Sequence, residues 1–455
     1  MMHVAAVDCG ATSVRVCRVD LDAPLLEPEV VHRVAHVPIL DDSGHLRWDW
    51  AKIVAAVEDG LAACMALGPL ASIGIDTWAV DYGLLDGDGR LLSMPYSYRD
   101  HRTDDHSLLV EEFGAEAMYR INGLQVQPFN TVFQLARHDR RELSRAARLL
   151  WLPELLVHHL TGVAVTERTS AGCSGLVDLA TGNWSTPLLD LAGVDGALLG
   201  AIQTACSVVG DWRGVPVVLV GGHDTASAVA GMGLAAEGGS AFVATGTWML
   251  AGIERPSADT SEWARARNYT NEAGVLGGVR FLRNVTGFWL LEEARRHWAD
   301  ASLERLLSEA GQVSGAVPIV DVDDVLLRAP DDMLAAYTGL AGLRRTADRA
   351  VVTRSIIESI AARTAEVIDE LDEVARFEDV LLFGGAARID LLVHSLSRRC
   401  GRLVRIGSSE AAALGNAIVQ GIALGRFRNL TEGRARISAR AASNSSTRHP
   451  EGRMA

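Results

Sequence analysis

The chain has 455 residues, 48% of them apolar and 22% charged, and carries a formal net charge of −14. That length supports two sizeable domains with cores of their own, while the acidic balance argues against a nucleic-acid surface, which needs a basic face. ATP stays open as a ligand, because Mg²⁺ and backbone donors neutralise its phosphates locally.

The predicted elements begin with a hairpin. Residues 4–8 form an apolar strand, Cys9 to Ser13 a turn of small and hydroxyl residues, and residues 14–20 a second strand. No charged-then-apolar leader precedes it, which reads as a cytoplasmic enzyme. A third run lies near residues 30–38. Asp49 is a good N-cap for a helix through Leu61, with Ile53, Val54 and Val57 at helical spacing. The following apolar stretch is broken by Gly68 and Pro69 and is too short to span a bilayer. Residues 72–75 and 80–85 read as strands, the second turned by Asp86-Gly87-Asp88-Gly89. Residues 103–191 read as mainly helical, including 149–160 closed by Thr161-Gly162.

A fresh α/β unit starts at Val215. Its strand, residues 217–220, meets Gly221-Gly222-His223-Asp224-Thr225, and a small-residue helix follows over 226–232. Residues 231–239, with glycine at both ends, read as a hinge. The hairpin over 240–253 repeats the opening design. Ile356, Ile357, Ile360, Thr364, Val367, Ile368 and Leu371 mark one face of a long helix. It leads to a strand over 380–383, a helix from Arg388, a strand over 402–406 and a helix over 410–424. The expected fold class is α/β, with two lobes of similar topology and a ligand cleft between them. The expected domains are 1–233, 234–430 and a disordered tail over 431–455, rich in Arg, Ala and Ser. The six cysteines show no paired spacing and read as reduced, mostly buried thiols.

Three strands end in turns that suit phosphate oxygens: after Asp8, at Thr245-Gly246-Thr247, and at Gly384-Gly385-Ala386. Asp8 can hold Mg²⁺ through water, or merely open its turn. Asp224 can take a proton from a sugar hydroxyl or cap the helix behind it. The run Asp76-Thr77-Trp78-Ala79-Val80-Asp81-Tyr82 mixes carboxylates and aromatics as sugar sites do, yet Trp78 fits a core equally well. Arg99 either donates to a sugar oxygen or pairs with Asp100. Asn284 is either a helix cap or a ligand contact. No H-E-x-x-H, zinc-type Cys/His spacing, G-x-S-x-G elbow or Walker A lysine is present.

These motifs resemble the FGGY carbohydrate kinases. The likeness runs from about residue 4 to residue 425 and rests on Gly74-Ile75-Asp76-Thr77-Trp78-Ala79-Val80-Asp81-Tyr82, Tyr96-Ser97-Tyr98-Arg99-Asp100-His101-Arg102-Thr103 and His223-Asp224-Thr225-Ala226-Ser227-Ala228-Val229. Thr245-Gly246-Thr247-Trp248, Asn271-Glu272-Ala273-Gly274-Val275, Arg283-Asn284-Val285-Thr286-Gly287 and Glu410-Ala411-Ala412-Ala413-Leu414-Gly415-Asn416 add to it. It implies an actin-like ATPase fold of two ribonuclease H-like repeats closing on ATP and a sugar. It implies Asp224 as proton acceptor, with His223, Thr225, Ala79 and Asn284 at the sugar, where Arg99 and Trp78 are candidates from the residues themselves. Ala11, Thr12, Ser13, Val14 and Arg15 would cradle phosphates, with Thr247, Glu292, Gly384, Gly385 and Ala386 also on the nucleotide. The implied cofactors are ATP and Mg²⁺. The implied partner is a small sugar, with no membrane and a monomeric or homodimeric state.

Ala79, Val14 and Ala386 stand where the family carries glycine, and Glu292 where it carries glutamine. Within the family the likeness is greatest to the branch acting on L-rhamnulose. Xylulose, ribulose or fuculose are the alternative acceptors, and a non-catalytic sugar sensor the alternative of another class.

Overall fold

The computed structural model describes residues 1–233, 239–246, 248–298, 302–327, 330–437 and 440–441. The chain divides into two compact units. Unit 1 comprises Met1–Gly233, Glu254–Arg283 and Glu410–Ser438, and unit 2 comprises Leu234–Ile253, Asn284–Ser409 and Ala439–Ala455. Two segments expected in the second lobe, 254–283 and 410–430, thus cluster with the first.

Unit 1 is built on a six-stranded sheet. In chain order its strands are β1 (His3–Gly10), β2 (Ser13–Asp20), β3 (Glu29–Ala35), β4 (Ser72–Thr77), β5 (Ser207–Trp212) and β6 (Val215–Leu219), arranged β5-β6-β4-β1-β2-β3. β1 pairs antiparallel with β2 and parallel with β4. The period of two along β1 separates its faces. Ala5, Val7 and Cys9 pack with Ile53, Val57 and Leu61 of the helix Trp50–Ala66. Val4 packs on the other side with Leu414 and Ile418 of the helix Ala411–Ala423, and Ala6 with Ala413. Asp8 continues the Val4–Ala6 face and Asp76 continues that of Gly74, so both carboxyls lie on the side of this last helix. Gly74 is required there, since a Cβ would come 2.3 Å from Asn416 Oδ1.

The helix Asp224–Ala230 follows β6 and packs backbone to backbone on the helix Ala411–Ala423. A Cβ on Gly415 would lie 1.7 Å from Ser227 O, and one on Gly231 2.1 Å from Ala411 O. Gly231 is therefore a packing glycine inside unit 1 rather than part of a hinge. Residues 234–238 lie outside the described residues.

Two further readings change. The apolar run near 149–160 is not one helix: Arg148–Trp151 is a strand and only Leu152–Thr161 is helical, ending at Gly162 in the left-handed region. The strand expected over 80–85 is confined to Tyr82–Leu85. Its ladder partner is Arg148–Trp151, and the Asp86 turn closes only a bridge from Leu85 to Leu91. The tail begins ordered, with a helix over Leu430–Arg434; residues 442–455 lie outside the described residues. All six cysteines are free and five are buried, as expected.

Unit 2 repeats the hairpin device. Ser240–Thr245 pairs antiparallel with Trp248–Arg255 and parallel with Asp379–Gly384, which pairs parallel with Leu403–Ile406. The long helix Arg349–Val374 buries Ile356, Ile357, Ile360, Val367, Ile368 and Leu371, the face expected from its period. Among the described residues no helix is long and apolar enough to cross a membrane.

Candidate functional site

The first hairpin brings charge together. Asp8 and Arg15 are opposite each other in register, and Arg15 NH2 lies 3.0 and 2.9 Å from the two Asp8 oxygens. Arg15 NH1 donates to Glu410 Oε2 at 3.0 Å, and Arg33 to Glu410 Oε1 at 3.1 Å. Glu410 lies nearly 400 residues downstream, so no local pattern announces it. Burial pushes the Asp8 carboxyl above its usual range, against the pull of Arg15.

Beside Asp8 in the parallel register stands Asp76, fully buried. Its Oδ2 accepts from Asn416 Nδ2 at 2.6 Å, and its Oδ1 has no hydrogen-bond partner. Burial, and then the Asp8 charge, hold Asp76 well above the carboxylate range, against the Asn416 hydrogen bond. Gln420 completes the patch: its Nε2 donates to Asn416 Oδ1 and Ala5 O, and its Oε1 accepts from Ser72 Oγ.

Asp224 is the first residue of its helix, with His223 at the N-cap and no side-chain capping bond. Asp224 thus stands one residue past the N-cap, in the first turn, where the Thr225 backbone N–H favours its charged form. Its Oδ1 accepts from Thr225 Oγ1 at 3.2 Å, and its side chain is 27% exposed. Burial, reinforced by the Asp8 charge, raises its pKa to about 7, the value a base working near neutral pH needs.

His223 is fixed from behind. Arg280 NH2 donates to its Nδ1 at 3.1 Å, and Cys173 Sγ lies at the same distance from that nitrogen. A guanidinium has no acceptor, so Nδ1 is the lone pair and the proton sits on Nε2, 3.5 Å from Asp224 Oδ1. Burial and Arg280 hold the ring neutral, well below the usual histidine range. Among the described residues Cys173, His223 and Glu272 form one group of metal-type donors, which spacing did not reveal. Arg280 sits 2.9 Å from Glu272 and already supplies the cation.

Trp78 is buried against Trp48, ring centroids 4.4 Å apart. Asp81 Oδ2 accepts from Trp78 Nε1 at 2.9 Å, Trp48 Nε1 at 2.6 Å and Tyr98 N at 3.1 Å. Burial outweighs these donors and lifts Asp81 to about 6. Between them Ala79 is half-buried and Val80 has φ +72°, a costly conformation for a β-branched residue. The Val80 carbonyl is held there by Thr131 Oγ1 at 2.8 Å and Gln134 Nε2 at 3.3 Å. Arg99 is exposed and donates to Tyr98 Oη at 3.2 Å. Its expected alternative partner, Asp100, instead serves Leu46 N, His45 and Arg102.

Of the phosphate-turn residues, Ala11 and Thr12 are the two turn residues between paired Gly10 and Ser13. Ser13 begins β2, and Val14 is buried in the apolar core, leaving only its backbone for a ligand.

Unit 2 holds the other candidates. Thr245 Oγ1 donates to Phe383 O at 2.8 Å, and Thr245 is in register with Gly384. Gly384 has φ +94°, and a Cβ there would lie 2.3 Å from Thr245 O. Gly385 and Ala386 open the short helical turn Gly385–Arg388. Glu292, on the helix Trp289–Arg295, pairs with Arg295 at 2.6 Å. Asn284 lies within the strand Val279–Thr286, so it is not a helix cap. Thr247 lies outside the described residues.

Residues 3–231 match the N-terminal domain of the FGGY family of carbohydrate kinases, and residues 241–424 its C-terminal domain. A rhamnulokinase of Bacteroides thetaiotaomicron is 34% identical over 453 residues, covering 95% of this chain and 93% of that protein. The rhamnulokinase of Bacillus subtilis is 33% identical, with 95% and 93% covered. Among solved structures, a ligand-bound xylulose kinase from Lactobacillus acidophilus superposes with TM-score 0.82 at 18% identity, covering 97% of this chain and 93% of that one. Plasmodium falciparum glycerol kinase with ADP gives 0.77 at 16% identity, over 97% and 93%. The chain belongs to the FGGY family of carbohydrate kinases and has the actin-like ATPase fold of its structural neighbours.

Proposed function

We propose that this FGGY kinase transfers the γ-phosphoryl group of ATP to the primary hydroxyl of a ketose, converting L-rhamnulose to L-rhamnulose 1-phosphate. The observation that carries the chemistry is Asp224: a carboxyl in the first turn of its helix, part-buried, and held at about 7 by burial and by Asp8. Phosphoryl transfer asks the protein for positioning, charge stabilisation and one proton acceptor. Asp224 takes the hydroxyl proton as the oxygen attacks. The neutral His223 Nε2–H and Thr225 hydroxyl orient the acceptor and the Asp224 carboxylate.

Asp8 fits a water-mediated Mg²⁺ contact, because its Oδ2, though near Arg15, makes no hydrogen bond of its own. The cation would supply charge neutralisation at the phosphates. Arg15, with Ala11, Thr12, Ser13 and the Val14 backbone, is assigned to phosphate oxygens. Thr247, Gly384, Gly385 and Ala386 are assigned to the nucleotide, with Glu292 beside them. We assign the first lobe to the sugar and the second to the nucleotide.

The substrate rests on the rhamnulokinase relatives and on an apolar wall that we assign to Trp78 and Ala79, with Arg99 as a polar contact. Such a wall favours the methyl of a 6-deoxy ketose over a hydroxymethyl by about 1–3 kcal/mol. The test is coupled ADP release across L-rhamnulose, L-fuculose, D-xylulose, L-ribulose and glycerol. L-rhamnulose is expected to give the highest kcat/KM; D-xylulose or L-ribulose in first place would overturn the substrate and leave the phosphotransfer standing.

A further inference from the structure

Two consecutive backbone amides lead into Asp224, and each ends on a side chain of one distant segment. Gly222 N donates to Glu167 Oε2 at 2.9 Å, and His223 N donates to Thr169 Oγ1 at 3.0 Å. Glu167 and Thr169 are both fully buried. The Thr169 hydroxyl in turn donates to Glu167 Oε2, which also accepts from Thr169 N at 2.7 Å. The hydroxyl therefore has one orientation: proton toward Glu167, lone pair toward His223. The opposite side of the loop is closed as well, since Gly222 O accepts from Thr77 N at 2.8 Å. A Cβ on Gly222 would lie 2.4 Å from Ser170 Oγ, so the loop has no room to shift toward this segment.

Both side chains meet the loop through its backbone amides, and the phosphotransfer chemistry described above uses neither. We infer that Glu167 and Thr169 are positioning residues, which set Asp224 by holding the two peptide units before it. This rests on the reading of Asp224 as the base. A base contributes only within hydrogen-bond reach of its proton, and a misplacement of about 1 Å costs on the order of 10²-fold in rate. Glu154 supports the arrangement: its Oε1 accepts from Glu167 N at 3.0 Å. Burial, and then Glu167, lift Glu154 to about 8, so it is neutral beside the acceptor.

The experiment compares Thr169→Val, Thr169→Ser and Asp224→Asn in full-length protein, by ADP release with L-rhamnulose and ATP. Thr169→Val keeps the shape and removes the acceptor of His223 N. It should lower kcat about tenfold or more, with both KM values within about threefold. Thr169→Ser restores the oxygen and should recover kcat to within about threefold of the parent. Should the valine variant not fold, Thr169→Ala carries the same test, because it too removes the acceptor of His223 N. Parent-like kcat in Thr169→Val, a loss confined to KM, or a folded serine variant as slow as the valine one would each overturn the positioning role. Asp224→Asn separates the two ideas: if it alone is inactive, only the positioning role falls; if it turns over like the parent, the base reading falls and takes this inference with it.

Discussion

The hairpin of unit 1 and the hairpin of unit 2 are the same device with opposite chemistry. Each pairs antiparallel with its own second strand and parallel with a strand from later in the chain. In unit 1 the parallel neighbour places Asp76 beside Asp8, and Arg15 and Glu410 complete a charged cluster. In unit 2 it places Gly384 beside Thr245, and the bond made there is a hydroxyl to a carbonyl. Topology decides where a tight turn lies; the residue brought alongside decides whether that turn can move protons and bind cations or only offer backbone. A charged turn is expected to respond to pH and an uncharged one is not.

The largest expected effect tests the charged side. Asp224→Asn should lower kcat by about 10²–10⁴-fold while both ligands still bind in calorimetry. In the parent, kcat/KM should rise with pH through about 7, where Asp224 loses its proton. The same variant carries a stability signature. The folded pKa of Asp224 is raised above its unfolded value, so the parent's stability from this group is full below about 4 and lost as pH rises through about 7. Asparagine escapes that loss, so its melting temperature should exceed the parent's at pH 8 and match it at pH 4. An equal difference at both values would remove the buried-charge explanation.

Arg15→Met comes next. It strips the buried Asp8 of its partner, and breaking such a pair costs about 3 kcal/mol, the lower end of the range because Arg15 is part-exposed. Asp8 can answer by keeping a proton, so denaturant melts should show a deficit that is large at pH 8 and small at pH 5. A deficit independent of pH would break the comparison from the charged side.

On the uncharged side, Gly384→Ala forces a side chain into φ +94° and against Thr245 O. It should cost about 1–3 kcal/mol and raise KM for ATP, with sugar binding by calorimetry unchanged. The smallest effect is expected from Thr245→Val, which loses one hydrogen bond, about 1 kcal/mol, equally at pH 5 and pH 8. A pH-dependent loss there would mean that the second turn also responds to charge.

Much of this was legible from local pattern. Alternation placed both hairpins, and helical spacing placed Ile53, Val57 and Leu61 on the face that the helix Trp50–Ala66 buries. Local pattern failed where a contact is distant. Arg148–Trp151 reads as helix because an apolar run has no period of its own, and only its partner Tyr82–Leu85 makes it a strand. Glu167, Arg280 and Glu410 look in sequence like ordinary surface charges. Their work depends on Gly222, His223 and Arg15, from 55 to 395 residues away. The left-handed Val80 is invisible for the same reason: Thr131 and Gln134, some 50 residues on, hold it.

The contact of Gly231 and Gly415 across two helices, with Gln420 reaching Ala5 O and Ser72, dictates an order of assembly. The strand His3–Gly10 is made about 400 residues before Ala411–Ala423, the helix that covers one of its faces. At about 5–20 residues per second, the exposed face of β1 waits on the order of 20–80 s for Ala411–Ala423. A nascent chain stopped before Glu410 should therefore bind chaperones and resist purification, and kinase activity should appear only once Ala411–Ala423 has been released.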